Sequence, residues 1–195
     1  QRRNTINLWC KIVVACLPAA VIGLLFDDIL DKYLYNYVVV ALMLIIYGIF
    51  FILIEKKNEH TRPQVTKLTE LTYQMALIIG GFQVLALIPG TSRSGATILG
   101  ALLIGTSRYV ATEFTFYLAI PVMFGASILK VIKFGFHYTA IEVVILLVGC
   151  LVAFFVSVFA IKFLMGYIKK HDFKAFGYYR IVLGVLVLLY FLIFG

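Results

Sequence analysis

Charged residues are scarce in this sequence, and their scarcity limits the class of protein. Only 13% of the 195 residues are Asp, Glu, Lys or Arg, whereas 63% are hydrophobic. A soluble domain of this size needs a larger polar surface to face water. The composition therefore predicts an all-α, polytopic helical membrane protein, with residues 1–195 forming a single domain.

Cysteine and histidine are also sparse, which argues against disulfides and metal centres. The three cysteines, which lie in or beside apolar runs and form no C-x-x-C pair, are Cys10, Cys16 and Cys150. We interpret them as small packing residues. The three histidines, which lack the spacing of metal ligands and fall in polar loops or a short turn, are His60, His137 and His171. Solvated or interfacial positions explain them without a metal.

Acidic residues are outnumbered nine to seventeen by Lys and Arg, giving a net charge of +8. The basic residues lie in short loops rather than on one polar face, which argues against a nucleic-acid partner. With a cytoplasmic N-terminus, thirteen collect on one side, namely Arg2, Arg3, Lys11, Lys56, Lys57, Arg62, Lys67, Arg108, Lys162, Lys169, Lys170, Lys174 and Arg180. The other side receives three, namely Lys32, Lys130 and Lys133, with Arg93 set aside as buried. The positive-inside rule favours this orientation, with an outward C-terminus.

Long apolar runs define the predicted spans. Five approach the ~20 residues that a bilayer crossing requires, at residues 8–26, 37–54, 114–132, 142–165 and 178–194. We expect an acidic loop at 27–32 and another loop at 105–111. Two further runs, 75–88 and 96–104, are only half as long. They predict a re-entrant helix pair, which also keeps the basic loops on one side.

The turn between these half-length runs, residues 89–97, reads PGTSRSGAT. Pro89 closes the first half-helix, and Gly90 lets the chain turn tightly with its N–H groups close to a ligand. Ser92 or Ser94 can cap the second half-helix, whose N-terminus carries partial positive charge. Arg93 adds a planar fork that suits phosphate oxygens. We interpret the turn as a phosphate cradle, although the P-loop spacing is absent.

Arg93 is the residue that weighs most in this interpretation. A charge inside a membrane costs about 2.5 to 3.5 kcal/mol on insertion scales, and a bound anion would compensate it. The structural alternative is that the serines are ordinary caps, that the small residues allow tight helix packing, and that Arg93 pairs with Glu113.

Candidate roles follow for the residues around the turn. We expect Arg93, Ser92 and Ser94 to be catalytic, with one serine acting as a nucleophile if a base lies nearby. The expected substrate-binding residues are Gly90, Thr91, Thr97, Gln83 and Glu113. Gln83 fits packing as well as a substrate hydrogen bond. Glu113 is either a partner of Arg93 or a carboxylate at a helix start.

Three motifs carry a resemblance to a known family. Residues 89–97 read PGTSRSGAT, residues 105–108 read GTSR, and residues 113–116 read EFTF. Together with the order and spacing of the spans, they resemble the bacitracin-resistance family of undecaprenyl-diphosphate phosphatases over essentially the whole chain. The resemblance implies a multi-pass enzyme of the bacterial inner (plasma) membrane. It would hydrolyse undecaprenyl diphosphate to undecaprenyl phosphate and inorganic phosphate, recycling the lipid carrier of peptidoglycan synthesis.

The resemblance also implies a cofactor, and one alternative function stays open. Members of that family use a divalent cation, magnesium or calcium, which would bridge phosphate oxygens. The expected partners are a polyprenyl diphosphate and the bilayer, and a homodimer stays open. The alternative function is a lipid-phosphate flippase or anion transporter, because half-helices aimed at an anion also occur in transporters.

One family motif has no counterpart in residues 1–70. The family carries two glutamates followed by a Pro, Ser-rich, Gly-His turn, whereas this sequence resembles only its C-terminal two-thirds. We therefore expect half of an inverted repeat, the general acid or base and most metal ligands to lie outside residues 1–195.

The polypeptide of residues 1–195 should accordingly release no phosphate from a polyprenyl diphosphate in detergent. The measurement is a colorimetric phosphate assay on the purified polypeptide. Release above that of the empty micelle would contradict the expectation.

Overall fold

The computed structural model describes residues 2–59, 61–135 and 139–194, so the predicted loop positions of His60 and His137 lie outside it. It contains seven α-helices there: α1 Arg2–Leu34, α2 Tyr37–Asn58, α3 Tyr73–Val84, α4 Arg93–Leu103, α5 Arg108–Phe134, α6 Ala140–Ile168 and α7 Lys174–Phe194. Single 3-10 turns occur at Leu68–Glu70 and Leu85–Leu87. No strand forms among these residues, and the all-α class is confirmed.

Five helices are long and apolar enough to cross a membrane, as the sequence predicts. Their qualifying segments are Arg3–Phe26, Tyr37–Asn58, Arg108–Lys133, Ala140–Ile168 and Lys174–Phe194. Helix α6 shows the environment most clearly, because its apolar side chains are exposed along almost its whole length. Such a surface is stable only against other apolar groups such as lipid chains. The chain is a multi-pass membrane protein.

The predicted acidic loop at 27–32 is wrong. Helix α1 continues without a break to Leu34, because a charged residue does not by itself end a helix. The break comes where the next helix is capped, since the side chain of Asn36 accepts a hydrogen bond from the Val39 N–H at 2.9 Å. Asn is among the preferred N-cap residues, because its side-chain oxygen satisfies a free N–H of the first turn.

The predicted loop at 105–111 is too long, and the third span begins earlier than residue 114. The Ser107 hydroxyl accepts a hydrogen bond from the Val110 N–H at 3.3 Å. This cap starts α5 at Arg108. Glu113 therefore lies one and a half turns inside α5 and not at its start.

Helices α3 and α4 form the predicted hairpin, with lengths of 12 and 11 residues. Its two ends meet, because the N–H groups of Gln64 and Val65 donate to the Gly105 carbonyl at 2.8 and 3.3 Å. The Ser107 N–H donates in return to the Val65 carbonyl at 2.8 Å. The segment before α3 thus lies beside the segment after α4, so the chain enters and leaves the hairpin at one end.

Close backbone contacts hold this hairpin in the protein. A Cβ atom on Gly80 would lie 2.3 Å from the Ala15 carbonyl oxygen, so α3 packs directly on the backbone of α1. Helices α2 and α7 approach equally closely, since a Cβ on Gly48 would lie 2.7 Å from the Gly177 oxygen. Small residues at such crossings are typical of helix packing in membranes. Helix α4 lies at the centre, with every residue from Gly95 to Leu102 buried.

One buried ion pair joins α2, α5 and the start of α7. The carboxylate of Glu55 is fully buried and accepts hydrogen bonds from Arg108 Nε at 2.9 and 3.1 Å and from Nη2. It also accepts from the Phe173 N–H at 3.2 Å. Bidentate pairing of this kind is strong and directional.

Glu55→Gln should therefore lower the free energy of unfolding clearly. Breaking a buried pair costs about 3–5 kcal/mol, and because Arg108 stays 36% exposed, we expect roughly 2–3 kcal/mol. The matched control is Glu59→Gln, whose pair with Lys174 is more exposed and should contribute much less to stability. Thermal unfolding in detergent measures both. Equal losses for the two variants would show that the Glu55 pair has no special structural role.

Candidate functional site

The turn between α3 and α4 is built on a glycine that no other residue can replace. Gly90 has φ +89°, in the region that favours glycine. It also lies against α2, because a Cβ at this position would sit 2.4 Å from the Val40 oxygen and 2.8 Å from its Cα. Both the backbone conformation and the available space therefore require glycine.

Ser92 is the residue that starts α4. Its side chain accepts from the Gly95 N–H at 3.3 Å, and its Oγ lies 3.4 Å from the Oγ of Ser94. Among the residues described, it is the only non-glycine with positive φ, at +66°. Such a conformation costs of order 1–3 kcal/mol and persists where the surroundings impose it, often at functional sites. Both serine hydroxyls belong to exposed residues.

Arg93 occupies the first position of α4 and is half-buried. Its guanidinium has neither a hydrogen bond nor an ion pair with any residue that the structure describes. Its charge is also at the positive end of the helix dipole, which disfavours a cation. A bound anion would offset both the burial and the dipole.

Glu113 does not supply that anion in this structure. It is half-buried within α5, and it forms no ion pair with Arg93. Because it lies beyond the first turn of α5, the helix-start alternative does not describe its position either.

Thr97 is buried, and its hydroxyl is bonded within the protein. It donates to the carbonyls of Arg93 and Ser94, at 3.1 and 3.2 Å, and accepts from the Thr115 hydroxyl at 3.0 Å. Thr115 is not among the site residues predicted from the sequence. This pair fastens the first turn of α4 to α5.

Two other predicted site residues have buried polar atoms without partners. Gln83 is 3% exposed, and neither atom of its amide group has a hydrogen-bond partner among the described residues. Thr91 is fully buried, and its Oγ1 is equally unpartnered there. Unsatisfied groups of this kind cost about 1–3 kcal/mol each, so they are uncommon away from functional sites.

Arg180 on α7 is the important residue that sequence reasoning missed. Its Nη2 donates to the Gly90 and Thr91 carbonyls at 2.6 and 2.9 Å, and its guanidinium lies over the Tyr47 ring. Because Arg180 lies inside α7, it no longer counts among the thirteen basic residues predicted for the cytoplasmic side. Twelve remain there against three on the other side, so the predicted orientation is unchanged. The signal was present, because a charged residue inside a predicted apolar span is a functional candidate by default.

The position of Arg180 determines the direction in which the backbone N–H groups of the turn point. In a trans peptide the N–H points away from the C=O, so the Ser92 N–H points away from Arg180. The N–H groups of Ser92, Arg93 and Ser94 have no acceptor among the described residues. Three free N–H groups, two exposed hydroxyls and one guanidinium are thus gathered at one helix N-terminus. This arrangement is suited to a phosphate or diphosphate.

Comparison with known proteins identifies the family. Residues 1–186 match the family model described as bacitracin resistance protein BacA. The chain belongs to the BacA family.

Individual BacA-family proteins are similar over nearly all of this chain. The undecaprenyl-diphosphatase of Acetivibrio thermocellus is 62% identical over 191 residues, covering 98% of this chain and 70% of the relative. Those of Desulfitobacterium hafniense and Enterococcus faecalis are 63% and 60% identical, covering 97% and 98% of this chain and 69% and 71% of the relative. The resemblance inferred from the three motifs is confirmed.

The divalent cation expected for the BacA family finds no complete ligand set among the described residues. No three His, Cys, Asp or Glu side chains come together there in a way that could hold a metal ion. At the turn, the N–H and guanidinium groups suit anions, and only the hydroxyl oxygens of Ser92 and Ser94 have lone pairs that could contribute to a cation site.

Replacing Arg180 by Gln should loosen the turn. It removes two charge-assisted hydrogen bonds, each of about 1.5–3 kcal/mol. Exchange at the hydrogen-bonded amides of Thr91, Gly95 and Ala96 should therefore accelerate at least roughly tenfold. Hydrogen–deuterium exchange with mass spectrometry measures this. Lys174→Gln, which removes one charge from the start of the same helix, is the control. Unchanged exchange at the turn in Arg180→Gln would show that the turn holds its shape without this residue.

Proposed function

We propose that this BacA-family protein hydrolyses undecaprenyl diphosphate to undecaprenyl phosphate and inorganic phosphate. The reaction would recycle the lipid carrier of cell-wall synthesis at the bacterial plasma membrane. The observation that carries the proposal is the half-buried, unpaired guanidinium of Arg93 beside the free N–H groups of α4. Relatives at about 60% identity are named for this diphosphatase activity.

Arg93 and the α4 N-terminus bind the diphosphate in this proposal. Phosphoryl transfer develops charge on the phosphate oxygens, and catalysis consists mainly of positioning and charge stabilisation. The guanidinium fork contacts two oxygens, and the N–H groups of residues 92–94 donate to others. The attached polyprenyl chain stays among the apolar helix surfaces, since the turn belongs to a hairpin within the membrane domain.

Ser92 and Ser94 act as hydrogen-bond donors to the same group. The two hydroxyls contact each other, and that of Ser92 also accepts from the Gly95 N–H. Neither is bonded to a His, Asp or Glu of the described residues. A serine nucleophile needs such a base within hydrogen-bond reach. Because the general base is expected outside residues 1–195, we assign the serines to binding here and derive no covalent step from them.

Thr97 and Thr91, which were also expected to bind substrate, act on the shape of the turn. Thr97 holds the Arg93 carbonyl while bonded to Thr115, and Thr91 offers its carbonyl to Arg180. Their buried hydroxyls do not face the exposed side of the turn, where Ser92 and Ser94 lie. Because no described residues form a metal-ligand set, no step here is routed through a cation.

The comparisons favour the enzyme over the flippase or transporter. The matched relatives are named as diphosphatases, and nothing in these matches supports a transport function. Incubation of the full-length protein with a polyprenyl diphosphate in detergent distinguishes the two, because micelles have no sides. Stoichiometric phosphate release supports the enzyme, whereas binding without release supports the transporter.

Arg93→Lys should reduce phosphate release about 100-fold, the order of loss seen when one transition-state donor is removed. The charge is kept, but the planar fork that holds two oxygens is lost. The control is Arg3→Lys, an equivalent change on the exposed part of α1. Near-normal turnover in Arg93→Lys would remove this residue from the site.

A further inference from the structure

A second cluster of basic residues lies at the far end of α4 from the proposed site. A half-open cavity of about 480 Å³ is formed where the 61–63 loop, the 105–107 segment and the ends of α5 and α6 meet. The 11 residues of α4 separate it from Arg93 by about 16 Å, at 1.5 Å per residue. The GTSR motif at 105–108, which the proposed catalytic site does not use, forms part of its wall.

The cavity wall carries three cations and no carboxylate. The cations are Arg62, Arg108 and Lys169. Arg108 is neutralised by Glu55, and the other acidic groups near it, Glu59 and Asp172, both contact Lys174. Arg62 and Lys169 have no acidic partner among the described residues. Two uncompensated positive charges therefore face one cavity.

The Lys169 side chain and the backbone of the loop that carries Arg62 both contact the start of α5 or the segment before it. The Lys169 ammonium lies 5.4 Å from the centre of the Tyr109 ring, a cation–π contact at the first turn of α5. The loop that carries Arg62 is fastened to the 105–107 segment by the backbone bonds that close the hairpin. The loop backbone and the Lys169 ammonium are thus placed before any ligand arrives, which reduces part of the entropy lost on binding.

The N-terminus of α5 supplies neutral donors to the same cavity. Ser107 satisfies the Val110 N–H, whereas the N–H groups of Arg108 and Tyr109 have no acceptor among the described residues. Thr106 also lines the cavity. It is 3% exposed, and its Oγ1 has no hydrogen-bond partner in the described part of the chain. A buried hydroxyl without a partner is the feature that distinguishes a built site from a merely basic surface.

We propose that this cavity binds a phosphate group, held by Arg62 and Lys169, the free N–H groups of α5 and the Thr106 hydroxyl. The donors match the oxygens of a phosphomonoester, a phosphodiester or the free ion equally well. The group therefore belongs either to an anionic lipid headgroup or to inorganic phosphate. The site is separate from the catalytic turn and does not depend on the function proposed for it.

The test compares two double variants of the full-length protein in neutral detergent. Arg62→Gln with Lys169→Gln removes both uncompensated charges from the cavity. Lys57→Gln with Lys170→Gln removes two exposed charges from residues that do not line it. Arg93 is intact in both, so any phosphate bound at the catalytic turn contributes equally. Thermal shift is titrated with sodium phosphate against sodium chloride at equal ionic strength, and separately with phosphatidylglycerol against phosphatidylcholine in mixed micelles.

We expect the cavity variant to bind the phosphate group at least about tenfold more weakly than wild type, because two charge-assisted contacts are lost. The affinity of the control variant should be unchanged. Weakening with phosphatidylglycerol alone identifies a lipid headgroup. Weakening with inorganic phosphate alone identifies the free ion, and weakening with both identifies the shared group. Wild-type affinities in the cavity variant, or equal losses in both variants, would overturn the proposal.

Discussion

The site depends on how one turn of the chain is gripped between two helices. On one side the Gly90 backbone lies against the backbone of Val40, with no space for a side chain. On the other, Arg180 holds the carbonyls of Gly90 and Thr91. Helices α2 and α7 pack closely on each other through glycines, so the two halves of this grip are fixed relative to each other. A rigid scaffold of this kind allows a strained turn to persist.

This contact with α2 and α7 explains why the turn has free hydrogen-bond donors on one side only. Because its carbonyls are consumed by Arg180, its free N–H groups and the Arg93 side chain remain for a ligand. In an apolar environment unsatisfied donors and an unpaired guanidinium are costly. Binding a diphosphate would satisfy these donors and the guanidinium together. Much of the ligand affinity then comes from removing unfavourable interactions that are already present in the folded protein. The hydrogen bond between Thr97 and Thr115 contributes by fastening the first turn of α4 to α5.

The fold class, the five spans and the hairpin could all be predicted from the sequence, because run length and apolar character are local properties of the chain. Ser92 as a cap was predicted as one of two choices, for the same reason. The acidic segment at 27–32 was misplaced because polarity was taken as a break, although no cap interrupts α1 before Leu34. The partners of Arg180 and Thr115 could not be assigned, since they lie 90 and 18 residues away. Contacts of that range depend on which helix faces which, and one sequence does not reveal this.

The most direct measurement is an experimental structure of the full-length protein with a non-hydrolysable polyprenyl diphosphonate bound. We expect phosphonate oxygens within hydrogen-bonding distance of the Arg93 guanidinium and of the N–H groups of residues 92–94, with Arg180 still on the opposite side of the turn. A diphosphonate seated elsewhere, with Arg93 turned away from it, would contradict the central claim.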